Sequence, residues 1–186
     1  MIRRHLIFVL PGLCSILLFG CVQSQPVDTD LRVVLIRHAE KPKVGFNLSC
    51  QGMNRAKALP AVLYSKFGLP SLIYVPSFTE SDTTRHARMY QTIVPFADKY
   101  HLSLNSRYKE TEVAGVARAI LKQHGTVLVV WEHKGLDDIA EELGVRDAPN
   151  WKSGDFDTIW IITFNKKGKA RLTIDQEGLH PSSDCN

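Results

Sequence analysis

The sequence predicts an α/β domain in three layers, a mostly parallel central sheet with helices on both faces. Short runs of β-branched and aliphatic residues alternate with longer stretches whose apolar residues recur at helical spacing, the pattern of parallel strands joined by helical crossovers. The runs Val33–Ile36 and Val127–Trp131 are continuously apolar, as strands covered on both faces must be. The 186 residues, 44% hydrophobic and 23% charged, suffice for one domain with a substantial core.

Met1 to Gly20 has the make-up of an export signal, with Arg3 and Arg4 at its start, an apolar stretch from Leu6 to Phe19, and no acidic residue before Asp28. The apolar stretch is shorter than the roughly twenty residues a membrane-spanning helix needs. Leu18-Phe19-Gly20-Cys21 resembles the lipobox of bacterial lipoproteins, in which the cysteine becomes the lipidated first residue, although Phe19 stands where a small residue is usual. A soluble exported protein and an uncleaved anchor are the alternatives. The expected division is therefore a lipoprotein-type signal peptide at 1–20, a polar tether at 21–30 and a folded domain at 31–186, placed in the cell envelope or periplasm and anchored to the membrane through Cys21. The net charge of +4 falls to about +2 once Arg3 and Arg4 are set aside, too little and too scattered for a nucleic-acid partner. Export leaves Cys50 and Cys185 either as a disulfide or as two unpaired thiols.

Leu31 to Ile36 reads as a buried strand, and it ends in Arg37-His38-Ala39-Glu40. Side chains at the carboxyl end of such a strand leave the core and face the crevice where α/β sheets bind ligands. An arginine there offers a planar fork of donors suited to phosphate, and a histidine offers a nitrogen that is neutral and nucleophilic near pH 7. Lys41 to Asn47 is a loop, and Ser49 is a plausible N-cap for a helix that Pro60 is expected to kink or divide. Leu72 to Val75 is a second strand, followed by a polar loop at 76–83. Ala87, Tyr90, Ile93 or Val94, and Ala97 mark a helix from Thr84 to Tyr100. Leu102 and Leu104 form a small strand, and Thr111 is placed as the cap of a helix from Glu112 to about Gln123. Thr126 to Trp131 is the next strand, ending in Glu132-His133-Lys134-Gly135, and a helix from Leu136 to Leu143 follows, stopped by Gly144. Thr158–Phe164 and Ala170–Ile174 read as a hairpin turning through 165–169.

Arg37-His38-Ala39-Glu40, the segment Leu48-Ser49 with Gly52 and Arg55-Ala56, Arg88 before Gln91-Thr92, and His133 after a strand occur in the order and contexts in which the histidine phosphatase superfamily carries its motifs. The chain resembles that superfamily, whose fold is called phosphoglycerate mutase-like, over nearly all of its length after Leu31. The resemblance implies a phosphohydrolase with His38 as nucleophile, with Arg37, Arg88 and His133 binding phosphate, and with no metal or cofactor. The chemistry is consistent with the residue types. Phosphoryl transfer calls mainly for positioning and for neutralising oxygens of spread charge. Two guanidiniums do that, a histidine nucleophile divides one displacement into two, and a second histidine donates to an equatorial oxygen.

The proton donor to the leaving oxygen is the open position. Where mutase-type members carry an acid this chain has Ser106, which counts against a mutase. Glu112 is the first choice, followed by Glu110 and Glu132; Glu132 ranks lower because adjacent strand residues point to opposite faces. Asp137 and Asp138 rank below these. Arg85, three residues before Arg88, is the alternative phosphate ligand, and His86 is expected in solvent. Arg55 is a supporting or surface helix residue, Asn47 and Ser49 either touch phosphate or serve loop and cap, and the three tryptophans are core. The expected substrate is a phosphorylated small molecule or a phosphorylated envelope component. The competing functions are a phosphoprotein phosphatase acting on phosphohistidine or phosphoserine, and a non-catalytic phosphate-binding envelope protein.

Overall fold

The computed structural model describes residues 27–77 and 83–185, the side chains of 83–86 excepted. The signal segment, Cys21 and most of the tether lie outside the described residues, as do the side chains of Arg85 and His86. The elements are β1 (Arg32–Arg37), α1 (Cys50–Phe67), β2 (Leu72–Tyr74), α2 (Thr83–Tyr100), β3 (Leu104–Asn105), α3 (Val113–Ile120), β4 (Thr126–Trp131), α4 (His133–Glu142), β5 (Thr158–Phe164) and β6 (Ala170–Gln176). They form one six-stranded sheet in the order β3-β2-β4-β1-β5-β6. The first four strands in that order are mutually parallel, and β5 and β6 add an antiparallel hairpin at one edge.

Alternation along β1 and β4 divides the core into two layers. Val34, Ile36, Leu128 and Val130 pack on α1 and α2 through Leu59, Leu63, Met89, Ile93 and Phe96. Val33, Leu35, Val127, Val129 and Trp131 pack on α3 and α4 through Val116, Ile120, Leu136 and Ile139. All three tryptophans are buried in this second layer. The expected sandwich is the one observed.

Several local expectations are corrected. Pro60 neither divides α1 nor ends it: the helix runs through it for 18 residues. An interior proline costs about 3 kcal/mol, and burying Leu59 and Leu63, both almost fully covered, returns about 1.5–3 kcal/mol each. Thr111 is not the cap of α3; that position is Glu112, which makes no side-chain cap bond, and the helix ends at Ile120 rather than near Gln123. The small strand is Leu104–Asn105, without Leu102. The fourth helix starts at His133, three residues before Leu136, because Glu132 caps it by accepting from the Lys134 amide at 2.8 Å. Ser49 caps α1 as expected, accepting from the Gly52 amide at 3.1 Å.

Cys50 and Cys185 form a disulfide across 135 residues of sequence, joining the start of α1 to the end of the chain. Closing a loop that long in the unfolded state removes chain entropy worth up to about 5 kcal/mol. Reduction is therefore expected to lower stability by about 2–5 kcal/mol, read as a fall in the urea midpoint of the wild type that Cys185→Ser reproduces and reductant no longer changes. An identical midpoint in oxidised and reduced wild type would contradict it.

Candidate active site

The site begins with the pairing of β1 and β4. Arg37 lies in register with Trp131, so the two strand tips, Arg37-His38 and Glu132-His133, leave the sheet side by side. The His38 amide extends the ladder, donating to the Trp131 carbonyl at 3.1 Å.

The His38 side chain is almost fully buried. Its Nδ1 lies 2.7 Å from the Ala39 carbonyl, which can only accept, so Nδ1 carries the proton and Nε2 the lone pair. Burial, assisted by the charges of Arg37, Arg88 and Lys41, lowers its pKa to about 4. The ring is neutral at pH 7. The next amide, that of Ala39, donates to Thr92 Oγ1 at 2.8 Å, and the Thr92 hydroxyl donates to the Arg88 carbonyl at 2.7 Å. One turn of α2 thus holds the loop after His38 and carries Arg88.

Arg37 is as buried as His38. One terminal nitrogen donates to the carbonyls of Ser153 and Asp155, at 2.6 and 3.2 Å, and its guanidinium carbon stands 4.1 Å from the centre of the Phe156 ring. Burial lowers its pKa, while Glu132, Asp155 and Glu40 oppose that effect. Arg88 donates to the Gly45 carbonyl at 2.7 Å. Its charge acts on both Arg37 and His38, which sets the two guanidiniums and the imidazole in one cluster. His133 Nδ1 is in direct contact with the Glu132 carboxylate. Burial lowers the His133 pKa, Glu132 raises it and Arg37 lowers it.

Behind this cluster lies a shell that sequence reasoning identified by motif without its purpose. The Ser49 amide and hydroxyl both donate to the Glu40 carbonyl, at 2.9 and 3.2 Å. A Cβ on Gly52 would stand 2.2 Å from that same oxygen, so only glycine lets α1 approach so closely. Arg55, expected as a supporting or surface residue, is buried and binds the Glu40 carboxylate at 2.9 Å, Asp157 at 3.0 Å and Glu177 at 2.5 Å. Burial pushes Glu177 up to about 8, with Asp157 and Glu40 adding to the effect and Arg55 opposing it. Gln91 accepts from the Leu48 amide at 2.9 Å and donates to Asn47 at 3.0 Å, so Asn47 serves the loop.

The acid candidates separate by position. Glu112 is exposed, and its carboxylate accepts from the Lys109 amide at 2.7 Å. Glu110 is half-buried, and its carbonyl accepts from the Trp131 indole at 3.1 Å. Glu132 touches His133 and is the carboxylate acting most strongly on Arg37. Its lower rank rested on strand geometry that does not apply, since His133 is the first residue of α4. Ser106 is half-buried, Asp138 is exposed, and Asp137 accepts from the Trp151 amide at 2.9 Å. The loop Ser153–Phe156, which fastens Arg37, carried no motif and was missed.

No family model matches the sequence, and no curated protein does. Solved structures do. The chain is similar to the protein histidine phosphatase SixA complexed with tungstate, at 15% identity over 78% of this chain and 97% of that one, with a TM-score of 0.55. It is similar to a phosphoglycerate mutase from Plasmodium falciparum at 13% identity, 83% and 96% coverage and a TM-score of 0.55. A mycobacterial glucosyl-3-phosphoglycerate phosphatase with inorganic phosphate matches at 15% identity, 77% and 95% coverage and 0.53. The chain has the histidine phosphatase fold, also called phosphoglycerate mutase-like.

The state of His38 is directly measurable. Its folded pKa of about 4 lies below the unfolded value near 6.5, so between these values the native state binds fewer protons than the unfolded one. The stability this group contributes is fully present above about pH 6.5 and is lost as pH falls towards 4. Histidine NMR is expected to show the His38 ring neutral and protonated at Nδ1 from pH 7 down to about 5; a titration centred near 6.5 would contradict the buried arrangement.

Proposed function

We propose that this protein is a phosphohydrolase that transfers a phosphoryl group from an ester to His38 and then to water, without a metal or cofactor. The observation that carries the reading is His38 itself: buried, neutral, its proton fixed at Nδ1, its lone pair at Nε2, in a cluster with two guanidiniums.

In the first step Nε2 attacks phosphorus, the ester P–O bond breaks, and the leaving oxygen takes a proton. In the second, water attacks phosphorus and gives its proton to the group that protonated the leaving oxygen, the P–N bond breaks, and the lone pair returns to Nε2 as phosphate departs. Arg37 and Arg88 neutralise the phosphoryl oxygens through both steps. His133 donates from Nε2 to an equatorial oxygen, and Glu132 beside its Nδ1 offsets part of the effect of burial, which lowers its pKa. Glu112 is the acid inferred from sequence, and Glu132, which lies against His133 in the cluster, is the alternative.

The fold shared with a protein named as a histidine phosphatase supports phosphoprotein as the second substrate reading. The Cys50–Cys185 disulfide supports placement outside the cytoplasm, in agreement with an export signal and a lipid on Cys21. Outside the cytoplasm, phosphate esters and phosphorylated envelope components are the substrates at hand. A protein that only binds phosphate is the non-catalytic competitor.

Rapid quenching with a radiolabelled aryl phosphate tests the reading: an acid-labile, base-stable label is expected on the wild type and absent from His38→Ala. Phosphate or vanadate binding with neither label nor turnover would favour the binding protein. The acid is assigned by leaving group. Replacing it with glutamine is expected to slow alkyl phosphates about 10²–10⁴-fold and p-nitrophenyl phosphate far less. Comparing Glu132→Gln with Glu112→Gln identifies the residue, and equal losses on both substrates in both variants would exclude the pair.

A further inference from the structure

We propose that the loop between Glu40 and α1 seats the active site on a lipid surface, and that the substrate is an amphiphilic phosphomonoester whose phosphate enters the site while its apolar part stays in the bilayer. The proposal rests on the phosphohydrolase reading and names the substrate class of the same site.

Gly45 joins the loop to the catalytic cluster, since its carbonyl accepts from the Arg88 guanidinium at 2.7 Å. The residues on either side of it are apolar and face solvent: Val44 is 89% exposed and Phe46 is 50% exposed. Gly45 has φ +111°, a backbone conformation that side-chain-bearing residues rarely adopt, so the turn that presents these two side chains is specified. Lys41 and Lys43 are exposed beside them, and the charge of Lys41 reaches His38. Two cations and two large apolar side chains thus occupy six consecutive residues at the edge of a phosphate site.

An isolated exposed apolar residue carries no message, but two at a loop tip among lysines match the chemistry of a membrane interface. The lysines complement anionic headgroups, and Val44 and Phe46 complement the acyl boundary beneath them. At 89% exposure Val44 stands clear of the protein, a side chain that inserts and not a wall that receives a peptide. The tether joins the domain at the amino end of β1, opposite the site, and six strand residues span ~20 Å. Val27 packs on the core and Asp28 to Leu31 form a turn, so six residues, Cys21 to Pro26, separate a lipid on Cys21 from the fold, a reach of up to ~20 Å, about the length of that strand.

The test uses the full chain and its Val44→Ser/Phe46→Ser double variant, which share the same N-terminal segment, so any anchor contributes equally. Each is given soluble p-nitrophenyl phosphate, phosphatidic acid in phosphatidylcholine vesicles, and a phosphohistidine peptide. The wild type is expected to release phosphate from the vesicles. The variant is expected to lose about tenfold or more on vesicles and less than twofold on p-nitrophenyl phosphate. Turnover of p-nitrophenyl phosphate without release from vesicles, equal rates of variant and wild type on vesicles, or a preference for the peptide would each overturn the lipid substrate while leaving the phosphohydrolase reading in place. No turnover of any of the three would overturn that reading and the proposal with it.

Discussion

Arg37 to Glu40 are all buried, and a buried backbone or side-chain polar group is costly unless it finds a partner. Much of the rest of the chain is arranged to supply those partners. The ladder to β4 receives the His38 amide, Thr92 of α2 receives the Ala39 amide, Ser49 and Gly52 of α1 close on the Glu40 carbonyl, and Arg55 holds the Glu40 carboxylate. The loop Ser153–Phe156 fastens Arg37. Four separate stretches of sequence therefore converge on four residues, and the Cys50–Cys185 bridge closes the chain around one of them. The consequence for chemistry is the imidazole, whose tautomer is set by the Ala39 carbonyl.

Clustering two guanidiniums beside a buried imidazole is unfavourable without counter-charge. Arg37 is steadied by two backbone carbonyls and by the face of Phe156, which take up charge without bringing a full carboxylate onto the guanidinium. Glu132, Asp155 and Glu40 act on it from around the site, and the nearest role for Glu132 is at His133. Burial, with the charges of Arg37, Arg88 and Lys41 adding to it, keeps His38 unprotonated. Arg55 behaves differently: Glu40, Asp157 and Glu177 hold it behind the cluster, which gives it a structural role.

The layer architecture and the strand tips were legible because burial on both faces writes itself into β1 and β4 as uninterrupted apolar runs. The order of the motifs also placed Arg37, His38, Arg88 and His133 together. What was illegible depends on contacts distant in sequence. Arg55 looks like any helical arginine until Asp157 and Glu177 arrive from beyond residue 150, and the Ser153–Phe156 loop has no periodicity to mark it. The contact of Glu132 with His133 was illegible for a local reason: the chain leaves the strand at Glu132 to cap a helix, and two neighbours that would diverge on a strand meet instead. Pro60 shows the opposite case, a strong local signal overridden by the burial of its neighbours.

The central claim is that the Ala39 carbonyl fixes the His38 proton on Nδ1 and so directs phosphorylation to Nε2. The direct measurement is phosphorus–nitrogen NMR of the isotope-labelled phosphoenzyme, trapped under base-stable conditions. Coupling of phosphorus to Nε2 of His38 is the predicted result. Phosphorylation at Nδ1, or a phosphorylated histidine other than His38, would contradict the account.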